Sequence, residues 1–205
     1  MAASLPSQIQ ASLRNSYRLE DAPSVDDFIR PIDGLGREVF LIREDEEGAE
    51  VALHLPRVAL ASRESSKGDW PSFDELCQIV EGVSHFLYFA ERARRELPLT
   101  QLELELQAEV DKYVLFVHGS LASGPFEPTR AAEVRELLFE PAVYLDAEGT
   151  ERGDRYRLAN DLARRYACRL EKSFAQRGHF SAMWRALRCF YAAGQSEKIS
   201  LARAA

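Results

Sequence analysis

Glu81 and His85 stand four residues apart in a helical pattern, with Tyr88 beside them and Arg92 further along the same stripe. A second helical segment carries Glu103, Gln107, Asp111 and His118 along one strip between two apolar faces. Carboxylates and imidazoles projecting from adjacent helices are the parts from which bundle metal and acid–base sites are built. The spacing fits that chemistry poorly. Di-iron carboxylate bundles use Glu-x-x-His from two helices, whereas this chain offers a single Glu-x-x-x-His. Asp111 and His118 are two helical turns apart, about 10 Å. A Glu–His pair at i,i+4 is also an ordinary contact on a helix surface. The spacing therefore leaves a candidate polar cluster of Glu81, His85, Arg92, Glu103, Asp111 and His118, but assigns no catalytic residue, no metal ligand and no cofactor.

Two other motifs point to phosphate. Val117-His118-Gly119-Ser120, followed by Ser123-Gly124, has the Gly-Ser start of a nucleotide-handling loop. Pro125-Phe126 follows the second glycine where a P-loop needs Lys-Ser/Thr. The paired aspartates of a nucleotidyltransferase are absent, and the Gly-x-Ser-x-Gly elbow is not formed. A glycine stop and a surface loop account for the segment. Arg157, Arg164, Arg165, Arg169 and Lys172 share a helical pattern with Tyr156 and Tyr166, and Arg185 and Arg188 flank Trp184 and Tyr191. Arg157, Arg164, Arg165 and Arg185 form a candidate basic surface of the kind that meets nucleic acid. Asp161 lies four residues from both Arg157 and Arg165, and Glu171 is next to Lys172, so the field is damped. The aromatic residues fall on the core stripe.

The elements that position these residues follow from periodicity. Ile9, Leu13 and Tyr17 give a faint helical spacing. Residues 24–31 suit one short helical turn ending before Pro31, and 33–36 suit a turn. Residues 38–43 and 50–55 read as two strands joined by the acidic run Glu44-Asp45-Glu46-Glu47, with 58–60 a possible third strand and 62–68 a surface loop. Ser72 and Glu75 form a capping box for a helix over 73–97 that stops before Pro98. A helix over 99–118 carries Leu99, Leu102, Leu106, Val110, Tyr113 and Val117 on one stripe, and Leu104, Ala108 and Leu115 nearly opposite, which places it centrally. Helices over 129–139, 154–177 (with Asp154 as N-cap) and 180–193 follow, with 141–145 extended. Phe180, Met183, Trp184, Leu187, Phe190 and Tyr191 share the apolar face of the last helix.

The predicted fold is α+β and mostly α: a small antiparallel β-hairpin packed on a bundle of about four or five helices. The chain reads as a single domain over 1–205, with an N-terminal segment and hairpin at 1–68 and a helical bundle at 69–205. Its 205 residues, 46% hydrophobic and 29% charged, exclude a disordered chain. The densest apolar runs, at 86–90 and 114–117, are far shorter than the roughly 20 residues of a membrane span. Residues 1–8 lack the basic start and apolar core of a signal peptide. Three cysteines, Cys77, Cys168 and Cys189, with no C-x-x-C spacing, fit reduced thiols, buried or half-buried. The expected location is cytoplasmic.

Charge is divided unevenly. Residues 1–150 hold 14 Lys and Arg against 28 Asp and Glu, a net −14. Residues 151–205 hold 12 against 5, a net +7, within a total of −7. Such a split belongs either to a basic surface for polyanions or to two halves that attract each other. The expected function is a non-catalytic protein–protein interaction module or regulatory adaptor, whose partner is another protein. An enzyme or small-ligand or metal binder using the groove between helices 73–97 and 99–118 is the alternative, with nucleic-acid binding through the basic C-terminal helices as a second. No membrane partner is expected.

Overall fold

Helix α1, Leu5–Tyr17, begins where Ser4 accepts a hydrogen bond from Ser7 N at 3.0 Å, with Pro6 in the first turn. Its Leu5, Ile9, Leu13 and Tyr17 recur every four residues and are all buried. The hydroxyls of Ser4 and Ser7 both donate to the carboxylate of Asp26 at 2.6 Å. Gln10 donates to Pro23 O and accepts from Val25 N, which ties the 3-10 turn Val25–Asp27 to the helix. The computed structural model describes residues 3–20, 22–32, 37–45, 48–56, 71–119, 121–122, 124–140 and 145–204.

The sheet has three strands: β1 (Ile29–Ile32), β2 (Val39–Asp45) and β3 (Gly48–Pro56). The antiparallel pairing of β2 with β3 is the expected hairpin, in register Phe40 with Leu53 and Ile42 with Val51. The correction is β1, which pairs in parallel with β3, Ile29 with Leu53 and Pro31 with Leu55, so that β3 is central. Pro31 is tolerated there because β1 is an edge strand, where one proline costs no ladder bond on the open side. Leu53 and Leu55 are buried and pack on helix α2, Phe73–Arg94, at Gly82. A Cβ at Gly82 would lie 2.6 Å from Leu53 Cδ1, so the glycine allows this close approach. The expected third strand at 58–60, the loop at 62–68 and the extended stretch at 141–144 lie outside the described residues.

The Ser72–Glu75 capping box of α2 is present in both directions. Thr100 and Glu103 form a second one for α3, Gln101–Val117. Helix α3 contacts α2, α1, α4 (Pro128–Phe139), α5 (Glu151–Ser173) and α7 (Gln195–Arg203), which is the central position its two apolar stripes predict. The N-cap of helix α5 lies four residues earlier than expected: Thr150, not Asp154, accepts from Gly153 N. It ends at Ser173, and a 3-10 turn, Ala175–Arg177, runs to Gly178 in the left-handed conformation. Helix α6, Phe180–Ala192, buries Met183, Leu187, Phe190 and Tyr191, but leaves Phe180 exposed and Trp184 half-buried, against expectation. Cys77 and Cys168 are half-buried and Cys189 is exposed, all of them free thiols. Among the described residues no helix is long and apolar enough to cross a membrane.

Candidate functional site

The predicted polar cluster divides into three neighbourhoods. Glu103 and Glu105 are two positions apart on α3 and so point about 200° apart round it. That difference separates two buried polar strips.

The first strip joins Glu81 and His85 of α2 to Glu105, Glu109 and Lys112 of α3. Lys112 Nζ lies 3.2 Å from Glu81 Oε2 and 2.8 Å from Glu109 Oε1. Burial alone would lower the pKa of Lys112, but Glu109 and Glu81 hold it well above the ordinary value. His85 Nε2 is 3.6 Å from Glu105 Oε2, an ion pair longer than a hydrogen bond. It has no hydrogen-bond partner and is closed off from solvent. Burial pulls the His85 pKa down, while Glu105 and Glu81 raise it, with a net rise. Glu38, just before β2, is the neighbouring carboxylate of Glu81. Burial, then the charge of Glu81, pushes Glu38 up to about 9. Burial would raise Glu81 too, but Lys112, His85 and Arg37 outweigh it and hold Glu81 down to about 2. The two shifts run in opposite directions, the division that neighbouring carboxylates are driven to. Phe40 of β2 packs over the His85 ring at 6.3 Å between centroids. Ligand atoms of Glu81, His85 and Glu105 lie within 4.8 Å of one another.

The second strip carries Glu103, Gln107 and Asp111. Asp111 accepts from Tyr17 Oη in a very short hydrogen bond, from Ser84 Oγ at 2.6 Å and from Gln107 Nε2 at 2.8 Å. Burial pushes Asp111 up to about 6 in spite of these three donors. Arg92 joins this strip and not the first. It is 11 residues beyond Glu81, about 16 Å along the helix, and there it meets the start of α3. Its guanidinium donates to Pro98 O and lies 3.4 Å from Glu103 Oε1. Lys198 of α7 enters from the far side, donating to Gln107 Oε1 and Phe190 O.

His118 belongs to neither strip. As the C-cap of α3 it stacks on Phe126 at 5.3 Å and meets Trp184 edge-on at 6.2 Å. Burial alone lowers its pKa to about 4, so it is a neutral aromatic ring here.

The predicted basic surface is dispersed. Arg165 pairs with Asp161 at 2.8 Å, as its spacing implied, and Arg164 pairs with the same carboxylate at 3.5 Å. Arg157 donates to Asp146 O. Glu171 does not damp Lys172: it is buried, accepting from Tyr113 Oη at 3.0 Å and from Arg135 Nε at 3.2 Å. Of the four, Arg185 lines a groove. That groove, about 580 Å³, runs between the end of α1 and α6 and is bounded by Asn15, Ser16, Arg18, Ser181, Trp184, Arg185 and Arg188. Arg18 takes a left-handed conformation, φ 57°, that ends α1 and turns the chain at the groove edge. Arg188 reaches Ser16 O at 3.5 Å, and its pKa is lowered, first by burial and then by Arg18 and Arg185. No carboxylate pairs with Arg18, Arg185 or Arg188 among the described residues.

Glu105, Glu109, Lys112, Glu38, Lys198 and the α1 contribution to the groove were missed by sequence reasoning. Glu105, Glu109 and Lys112 do carry a signal, a second polar strip at i, i+4 and i+7. Lys198 carries none, because 195–203 has little apolar periodicity. Comparison with protein-family models, with curated proteins and with solved structures finds no match for this chain.

Proposed function

We propose that this protein is a non-catalytic interaction module that docks an acidic segment of a partner protein in the groove between α1 and α6. The observation that carries this reading is the convergence of Arg18, Arg185 and Arg188 on one concavity without a carboxylate to neutralise them. Three guanidiniums held close enough to depress Arg188 are mutually repulsive, and an anionic guest relieves that repulsion. Trp184 supplies a flat apolar wall beside them, and Ser16, Ser181 and Asn15 supply short polar groups at the rim. Arginine and tryptophan at a concave, partly desolvated position are the residue types that dominate binding energy at protein interfaces. The volume suits a few residues of polypeptide. It does not continue into a basic track, since Arg157, Arg164 and Arg165 are each engaged elsewhere. The buried strips support the same reading: their polar groups are largely spent on one another, linking α1, α2, α3 and α7 into a rigid support for the groove.

Calorimetric titration with a synthetic Asp/Glu-rich peptide tests the proposal. Binding is expected to weaken about tenfold or more in Arg185→Glu and in Arg188→Glu, and to be unchanged in Arg164→Glu. Equal loss in all three variants, or no binding by the parent protein, would reject the groove as the site. Tighter binding of duplex DNA or single-stranded RNA through the same arginines would replace the reading with the nucleic-acid one.

A further inference from the structure

We propose that Glu81, His85 and Glu105 bind a divalent first-row transition metal ion, which clamps α2 to α3 beneath the sheet.

The argument starts from His85. Its side chain is nine-tenths buried, and its Nε2 is closed off from solvent without a hydrogen-bond partner. A buried nitrogen in that condition costs free energy unless something meets it. What surrounds it is two carboxylates. Nε2 and Glu105 Oε2 are 3.6 Å apart, and the three ligand atoms lie within 4.8 Å of one another. The separation is too long for a hydrogen bond. It is close to what two ligands show when they share one ion: metal–ligand bonds of about 2.0–2.2 Å at the tetrahedral angle place the ligands about 3.3–3.6 Å apart. The longer spacing of the full set closes with side-chain rotations of Glu81 and Glu105, both long enough to make them.

The donor set selects the ion. One imidazole and two carboxylates suit zinc, manganese, iron(II) or cobalt, and lack the oxygen number that calcium takes. Three protein ligands leave a position that water can fill.

The groups around the triad fit the same role. Lys112 bonds to Glu81, yet a carboxylate has about four lone-pair positions, so Glu81 accepts from it and still has room for a metal. That donor fixes the Glu81 carboxylate, as outer hydrogen bonds fix ligands in metal sites. Lys112 takes up Glu109 at 2.8 Å, which keeps a fourth carboxylate from drawing the ion away from His85. Phe40 covers the imidazole on the sheet side and shields the site from water.

The triad was hidden in the sequence because its third member sits on the other helix, two residues from the Glu103 that the strip pattern favours. The proposal does not depend on the groove between α1 and α6, which shares no residue with it.

Cobalt(II) is the probe, added to metal-free protein and followed by visible absorption and calorimetry. One equivalent per chain is expected, with d–d bands showing nitrogen ligation and a rise in melting temperature; zinc should displace it. His85→Gln and Glu105→Gln should each weaken binding by roughly 10- to 100-fold, with unchanged far-ultraviolet circular dichroism. Glu133→Gln, on the exposed side of α4, is the control and should bind like the parent. No stoichiometric cobalt, or cobalt bound equally well by His85→Gln, would overturn the proposal. If either ligand variant fails to fold, water-proton relaxation and histidine-nitrogen NMR shifts on the parent protein with manganese and zinc decide it: an unperturbed His85 ring rejects the site.

Discussion

Lys198 and Gln107, 91 residues apart in the chain, are joined inside the protein by a hydrogen bond of 2.5 Å from the lysine Nζ to the amide Oε1. The ammonium end also donates to Phe190 O at 2.8 Å and faces the rings of Phe190 and Tyr88 at 4.3 and 4.8 Å. Lys198 is wholly buried, and it is what fastens the short α7 to the centre of the molecule. Gln107 in turn donates to Asp111, so a single chain of hydrogen bonds runs from α7 through α3 to Ser84 of α2 and Tyr17 of α1.

This lysine makes stability depend on pH in the alkaline range. Burial lowers its pKa to about 7, although Asp111 and Glu103 pull it upward; Arg92 pushes it down and Glu197 raises it. Between about 7 and the ordinary lysine value near 10.5, the unfolded chain holds a proton that the folded chain lacks. Stability from this group therefore rises with pH across that window, by up to ~1.4 kcal/mol per pH unit. Urea unfolding of the parent and of Lys198→Met at pH 7 and pH 9 should show the parent gaining relative to the variant. Parallel curves would mean that Lys198 stays charged throughout.

Leu106→Ala should destabilise the protein by about 2–5 kcal/mol. Leu106 and Val110 are each only 1% exposed, on the main apolar stripe of α3. Chemical denaturation measures the loss, and a value under about 0.5 kcal/mol would remove this stripe from the core.

That stripe shows what the sequence makes legible. Helices α2 and α3 follow from local signals: apolar residues three and four apart and, for α2, Ser three residues before Glu; the Thr100–Glu103 box that starts α3 at Gln101 instead of Leu99 was missed. The β2–β3 pair follows from alternation. Strand β1 did not, because a four-residue edge strand with a central proline has no pattern of its own and is defined by the partner it finds. Helix α7 is too short and polar to declare itself. At the polar cluster, the residues on α2 were legible, but their partners were not. Periodicity places Glu103 and Glu105 on one helix, whereas which of them meets His85 depends on how α3 is rotated against α2. The groove was legible only by half, through Arg185 and Arg188, since Arg18 reaches it from the other end of the chain.

Gly153→Ala should cost about 1–3 kcal/mol, although alanine favours a helix over glycine by about 1 kcal/mol. A Cβ at this position would stand 2.1 Å from Ala147 O and 2.8 Å from Thr150 Oγ1. The same Thr150 hydroxyl caps the helix at Gly153 N, so the clash and the cap compete for one space. Thermal unfolding of the variant reads the balance; a stabilised variant would show that the 147–150 turn yields freely.

Residues 1–150 sum to −14 and residues 151–205 to +7, and two ion pairs among the described residues join them, Arg152 with Asp146 and Arg135 with Glu171. Arg164 and Arg165 are matched by Asp161, Arg135 by Glu171, and Arg169 by Leu201 O. The groove arginines Arg18, Arg185 and Arg188 are the cluster that offers a polyanion several cations at one concavity. Each phosphate neutralised on duplex DNA contributes a slope of about −0.9 to the fall of log affinity with log salt. Two or three contacts therefore predict a slope no steeper than about −3, with weak binding lost near physiological ionic strength of about 150 mM. Arg185→Glu should make the slope shallower by at least about one, while Arg164→Glu should leave it unchanged. Titrations of duplex DNA and single-stranded RNA at several salt concentrations decide it. A slope near −6, or sub-micromolar binding that persists at about 150 mM salt, would show that the α5 arginines leave Asp161 to engage phosphate and that the basic C-terminal helices act as one surface.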